Sequence, residues 1–144
     1  MNSMNDKIFI DTNILVYAHD TSNRLKRKRA QEILFKGIQE ENIVISTQVI
    51  CELFITLTKK LGMTIANARK EISLLNHILI IELTYPMIIE SIDLHKSQKI
   101  SFWDALIIIA ANTSECSILY TEDLNHGQSV KALKIINPFI VNKA

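Results

Sequence analysis

The sequence predicts an α/β fold in which a central, mostly parallel sheet is flanked by helices. Three observations carry that expectation. Short apolar runs, Lys7–Ile10, Ile43–Ile45 and Ser117–Tyr120 among them, alternate with longer segments of helical period. Only three glycines and two prolines punctuate 144 residues, so the elements are long and their connections short. Apolar residues make up 48% and charged residues 22%, the balance of a chain that builds a full core at this length.

Each element has a local justification. Lys7-Ile8-Phe9-Ile10 is an apolar run that ends abruptly at Asp11 and reads as a buried strand. Thr21 or Ser22 can cap a helix running to about Glu41, with Ala30, Ile33, Leu34 and Ile38 as its apolar stripe. Ile43-Val44-Ile45 is a second, β-branched strand. Ser46 or Thr47 caps a helix from about Gln48 to Lys60, stopped by Gly62. A third long helix is expected from Thr64 to about Asn76, then a strand from Ile78 to Leu83. Pro86, suited to a helix first turn, opens the segment to about Ser97. Ser101 caps a helix from Phe102 to about Thr113. Ser117–Tyr120 is a strand that ends at the polar loop Thr121-Glu122-Asp123, and Lys134-Ile135-Ile136 is a last strand before Pro138. No repeat or linker divides the chain, so residues 1–144 are expected to form a single domain.

Composition then works by exclusion. Sixteen Lys+Arg against fifteen Asp+Glu leave a net charge of +1, which excludes nucleic-acid binding by bulk charge while leaving local patches open. Cys51 and Cys116 fit neither a disulfide framework nor a metal clip, and read as small core residues of a reducing compartment. Met1 to Lys7 lack the apolar stretch of a signal peptide. No apolar run approaches the roughly 18 residues that span a bilayer. A soluble, cytoplasmic protein with no membrane partner is the expectation.

Four carboxylates stand out by their surroundings. Asp104 sits in Phe102-Trp103-Asp104-Ala105-Leu106-Ile107, and Glu52 in Val49-Ile50-Cys51-Glu52-Leu53-Phe54, with apolar neighbours on every side of the helix. An unpaired buried carboxylate costs several kcal/mol, so each needs a cation, a set of donors or a metal. Asp11 and Asp123 follow the ends of two strands, and ligands of open parallel sheets bind in the crevice beyond those ends. Hard oxygen donors without His or Cys suit Mg²⁺ or Mn²⁺ rather than zinc. Each acid also has an ordinary explanation: a strand-end Asp caps helices and turns, and a lone helical acid is commonly salt-bridged. Lys59, Lys60, Lys96 and Lys99 mark helix ends and lie outside the apolar runs, which favours the metal.

These residues carry a resemblance. Lys7-Ile-Phe-Ile-Asp11-Thr12-Asn13-Ile-Leu-Val-Tyr-Ala18 resembles the opening motif of PIN-domain nucleases, and Ser46-Thr-Gln48-Val-Ile-Cys-Glu52-Leu53 is similar to the second. Ser101-Phe-Trp-Asp104-Ala-Leu-Ile107 resembles the third and Leu119-Tyr-Thr121-Glu-Asp123-Leu the fourth. The tail Ile135-Ile-Asn137-Pro138-Phe139 looks like the ending of the VapC-type toxins of type II toxin–antitoxin systems. The motifs run in order over nearly the whole chain. The stretch Gln128–Leu133 departs from the pattern by lacking the glycine often seen before the final strand.

The resemblance implies a PIN-like fold and a metal-dependent endoribonuclease. Asp11, Glu52, Asp104 and Asp123 would hold one or two Mg²⁺ or Mn²⁺ ions and carry the catalysis. Glu122 stands beside Asp123, and the family pattern selects Asp123. Thr12, Asn13 and Thr121 would orient carboxylates and water. The partners it implies are RNA (transfer RNA included), a small antitoxin and a second copy of the chain, with Thr84–Ile92 as a candidate contact.

Two other features bear on function. Arg24, Lys26, Arg27, Lys28 and Arg29 fall within six residues, either a solvated basic segment or a phosphate-contacting rim beside Asp11. His19, His77, His95 and His126 are scattered and read as surface or satisfied positions, with His126 nearest a motif. Aromatic residues at 6% argue against an extended base-stacking platform. The alternatives are a stand-alone housekeeping RNase without antitoxin and a non-catalytic metal- or RNA-binding module. A phosphoryl-transfer domain using Asp11 as nucleophile is disfavoured, because Thr12 and Asn13 replace the Asp-x-Asp-x-Thr pattern and the paired acids of a receiver are missing.

Overall fold

The computed structural model describes residues 6–140. The leaderless reading of the N-terminus and the full extent of the single-domain expectation therefore fall partly outside the described residues. Among those residues, no helix is long and apolar enough to cross a membrane.

The chain opens with strand β1 (Lys7–Ile10), whose apolar side chains are fully buried at Phe9 and Ile10. A one-and-a-half-turn helix α1 (Thr12–Tyr17) follows at once, capped by Asp11. Helix α2 (Arg24–Glu40) leads to strand β2 (Ile43–Ser46), and Ser46 caps α3 (Thr47–Lys59). Gly62, at φ +69°, turns the chain into α4 (Ile65–Ser73), which tightens into a 3-10 turn, Leu74–His77. Strand β3 (Leu79–Ile81), α5 (Tyr85–Gln98) and α6 (Phe102–Thr113) come next. Strand β4 (Cys116–Tyr120) and the hairpin of β5 (Ser129–Val130) with β6 (Leu133–Ile136) complete the order.

The six strands form one sheet in the order β3-β2-β1-β4-β6-β5, parallel except for β5. After β1 the chain builds one side of the sheet through β2 and β3, then returns to place β4 on the other side of β1. The strand order reverses between β1 and β4, and a crevice opens there beyond the carboxyl ends. The two strands are joined in register, Ile10 opposite Tyr120, and Asp11 N–H donates to Tyr120 C=O at 3.0 Å. Helix α2 lies over Ile8, Ile10 and Ile43 on one face of the sheet. Phe9, Val44 and Leu119 alternate to the opposite face, each at most 1% exposed, and α6 packs against β2 and β4. Ala105 to Ala111 of α6 are buried without a break, which makes it the central helix of the core.

Several local expectations are corrected. The cap of α2 is Asn23, whose side chain accepts Lys26 N–H at 3.2 Å; Ser22 instead donates to the Asp20 carboxylate, and Thr21 is exposed. Ile38 is 42% exposed and Leu34 only half-buried, because Gly37 brings α2 against Ile43 so closely that a Cβ would collide with the Ile43 side chain. Cys51 is exposed, and only Cys116 behaves as a core residue. The strand expected over 78–83 is paired only at Leu79–Ile81. Helix α1 and strand β5 were not expected from periodicity, being too short to show one. In place of the missing glycine in 128–133, Lys131 closes the hairpin at φ 56°.

Candidate metal centre

The crevice at the strand reversal is a cavity of about 410 Å³. Asp11, Glu52, Asp104 and Asp123 all line it. Each is delivered by a different element.

Asp11 closes β1 and caps α1 in one step. The Thr12 N–H donates to Oδ1 and the Thr121 hydroxyl to Oδ2, both at 2.7 Å. Only 5% of the residue is exposed. Burial pushes its pKa up to about 6; the bonds from Thr121 and Thr12 oppose the rise, and the charges of Asp123 and Glu52 add to it.

Thr121 serves both strand-end acids. Its hydroxyl oxygen also accepts the Asp123 N–H at 3.2 Å, so one fully buried side chain sets the spacing between β1 and the loop after β4. Burial raises the Asp123 carboxyl too, followed by the charges of Asp104, Glu122 and Glu52. The Asn13 amide offsets part of that rise without reaching hydrogen-bond geometry, and both its polar atoms are buried and unpartnered.

Glu52 is held from two sides. Thr12 Oγ1 donates to Oε1 at 2.7 Å, and Gln48 Nε2 donates to Oε2 at 3.3 Å while also reaching the Trp103 carbonyl at 3.1 Å. Gln48 thus ties α3 to α6 beside the site, and its own Oε1 is buried without a partner. Asp104 lies in the first turn of α6, its N–H bonded to the Ser101 hydroxyl at 3.0 Å, where the helix dipole favours a negative side chain.

The expectation that Glu52 and Asp104 are buried by apolar neighbours on all sides is corrected. Both are half-buried, and it is neighbours that face solvent: Ile55 is 49% and Trp103 61% exposed. Helix α3 does carry a polar stripe, Gln48, Glu52, Thr56 and Lys60, one residue every fourth position, and all four line the cavity. That four-residue spacing is visible in the sequence itself. Lys60, expected merely to mark a helix end, is a cation at the cavity wall, and Tyr17, Trp103 and Glu122 line it as well.

The remaining site expectations fall elsewhere. None of Arg24, Lys26, Arg27, Lys28 and Arg29 lines the cavity. Lys26 is bonded to Glu122, and Arg29, one turn further along α2, donates to the Pro138 carbonyl at 3.2 Å. His126 accepts the Asn137 N–H at 3.0 Å and is a satisfied surface residue. Glu122 is pushed up by burial, but the bonds from Lys26 and Tyr17 outweigh this and hold it below the usual carboxylate range.

The donor set suits a hard divalent cation. The acids are oxygen-only, burial and the neighbouring carboxylates raise two of them, and the Asn13 and Gln48 amides present unpartnered oxygens close by. Among the described residues no three His, Cys, Asp or Glu side chains stand close enough for a ready-made ligand cluster.

Comparison with known proteins gives a consistent picture. A family model of the PIN domain matches residues 8–129. No curated protein matches the chain by sequence. Similar solved structures include the sarcin-ricin-loop-cleaving toxin VapC20 of Mycobacterium tuberculosis, 18% identical over 81% of this chain and 90% of that one, with a TM-score of 0.69. A toxin–antitoxin complex from Klebsiella pneumoniae is 20% identical over 94% of this chain and 100% of that one, TM-score 0.68. VapBC2 of Rickettsia felis bound to a promoter DNA fragment is 22% identical over 81% and 87%, TM-score 0.62. At these identities the likeness shows the shared fold.

Proposed function

This chain belongs to the PIN-domain family, and we propose that it is a metal-dependent endoribonuclease, the toxin of a toxin–antitoxin pair. The observation that carries the reading is the convergence of Asp11, Glu52, Asp104 and Asp123 on one crevice at the strand reversal. The similarity to solved toxins and toxin–antitoxin complexes supports the toxin assignment and an antitoxin partner.

The same four carboxylates would hold Mg²⁺ or Mn²⁺. A bound cation would supply neutralisation of phosphate charge and a lowered pKa for water, so that the water could lose its proton and attack a phosphodiester at neutral pH. The chain's own residues do the rest. Thr12 fixes Asp11 through its backbone and Glu52 through its hydroxyl, so two carboxylates from different elements keep one orientation. Thr121 does the same for Asp11 and the Asp123 loop. Asn13 and Gln48 offer amide oxygens that can orient water. Lys60 at the rim can pair with a substrate phosphate without quenching the acids. Arg24, Arg27 and Lys28 on the first turns of α2 lie outside the cavity and are the candidates for RNA phosphate contacts beyond it; Lys26 is engaged with Glu122. Tyr85, Ile88, Ile89 and Ile92 form an exposed apolar stripe on α5, at positions that share one helix face, and are the contact we assign to homodimerisation.

The test is purified protein with Mg²⁺ or Mn²⁺ on single-stranded and transfer RNA, beside Asp11→Asn and Asp104→Asn. Cleavage that is lost in both variants and in excess EDTA supports the reading. Cleavage that survives either treatment overturns it. Co-expression with the product of a short adjacent reading frame separates a toxin, which it silences, from a stand-alone RNase.

A further inference from the structure

Glu122 is the one acid of the crevice that the site reading leaves without a role. It lines the same cavity as Asp123, its neighbour in sequence, yet both of its oxygens are taken. Oε1 accepts the Tyr17 hydroxyl at 2.7 Å, and Oε2 is bonded by the Lys26 ammonium. Lys26 Nζ also donates to the Tyr17 hydroxyl at 3.3 Å, closing a triangle. The ammonium lies 4.7 Å from the centroid of the Tyr17 ring and 5.3 Å from that of Phe139, and those rings meet edge-on at 5.1 Å. The end of α1, the first turn of α2 and the loop after β4 meet on this one carboxylate, and Phe139 of the tail after β6 packs against Tyr17 and Lys26.

We propose that Lys26 and Tyr17 are positioning residues that withhold Glu122 from the cation, leaving Asp123 as the acid that this loop contributes. The inference rests on the metal-site reading above. Two adjacent carboxylates on one loop compete for the same cation. A loop that can present either one gives two arrangements of the acid set, and only one keeps Asp123 at the spacing fixed by Thr121. Pinning Glu122 against α2 removes the competitor by geometry and cancels its charge. It also explains why Lys26, inside the basic cluster, points towards the crevice wall and away from solvent phosphates.

Mn²⁺ binding measured by calorimetry and electron paramagnetic resonance tests this directly, on the wild type, Lys26→Met, Glu122→Gln, the double variant and Lys26→Arg. Glu122→Gln alone leaves affinity within about twofold, because that carboxylate is not a ligand. Lys26→Met frees it and tightens binding by about tenfold, the order expected for one extra carboxylate near a divalent ion at intermediate dielectric. The gain persists in 1 M KCl, where the Debye length of about 3 Å screens all but direct contacts. Adding Glu122→Gln returns affinity to the wild-type value, and Lys26→Arg keeps it there. A merely structural ion pair would weaken binding when broken. Unchanged or weaker binding in Lys26→Met overturns the proposal, as does a large loss in Glu122→Gln, which needs no disruption of the fold. A wild-type chain that binds no Mn²⁺ removes the metal-site reading and this inference together; wild-type binding with an indifferent Lys26→Met removes this inference alone.

Discussion

The hydroxyl of Thr121, buried completely, donates to Asp11 Oδ2 at 2.7 Å across the junction between β1 and β4. Together with the Thr12 N–H on Oδ1, it fixes where the Asp11 carboxylate points. Replacing it by the near-isosteric Val keeps the volume and deletes the bond. Thr121→Val is expected to weaken Mn²⁺ binding and RNA cleavage roughly 10–100-fold. It should also destabilise the fold by about 1–3 kcal/mol, since two polar partners are left unpaired. Calorimetry and urea denaturation measure the two effects separately.

Asp11 makes stability depend on pH and on metal. The folded chain keeps its proton to about pH 6 while the unfolded chain releases it near 3.8. The folded state binds more protons between those values, so stability falls as pH rises through that window. At neutral pH the metal-free protein therefore carries a penalty of roughly 3 kcal/mol. Asp11→Asn should stabilise it by about 1–3 kcal/mol at pH 7.5 in EDTA, and show no such gain at pH 4. Thermal melts at the two pH values check this, and saturating Mg²⁺ should stabilise only the wild type.

Lys60 is the cation of the cavity wall. Lys60→Gln should weaken RNA binding while leaving the fold intact, and reduce the log–log salt slope by roughly 0.7, the share of one phosphate on a single strand. Binding measured between low and moderate salt reads the slope. An unchanged slope would take Lys60 out of substrate contact.

Gly37 tests the packing of α2 on the sheet. A Cβ there collides with the Ile43 side chain, which is itself 4% exposed. Gly37→Ala should cost about 1–3 kcal/mol despite the better helix propensity of alanine. Chemical denaturation gives the value.

Much of this architecture was legible in the sequence because its signals are strong and local. Strand β1 stops where its apolar run meets Asp11, and α6 begins one residue after its Ser101 cap. The four acids were isolated by context, and the structure brings all four to one cavity. What escaped has identifiable causes. Helix α1 is six residues long, too short to display a helical period. Gly37 replaced Ile38 on the inner face of α2 because close helix–sheet approach outweighs the burial of one side chain. The stripe from Gln48 to Lys60 is masked by the apolar residues between its members, several of which, Cys51 and Ile55 among them, face outward. Glu122 and Lys26 lie 96 positions apart, and no local pattern announces their contact.

The most direct measurement of the central claim is a Mn²⁺ titration of the wild type beside Asp11→Asn, Glu52→Gln, Asp104→Asn and Asp123→Asn, each checked for folding by its melt. A single site built by four acids predicts saturable binding that every substitution weakens by about tenfold or more. Folded variants that keep the wild-type affinity would contradict it.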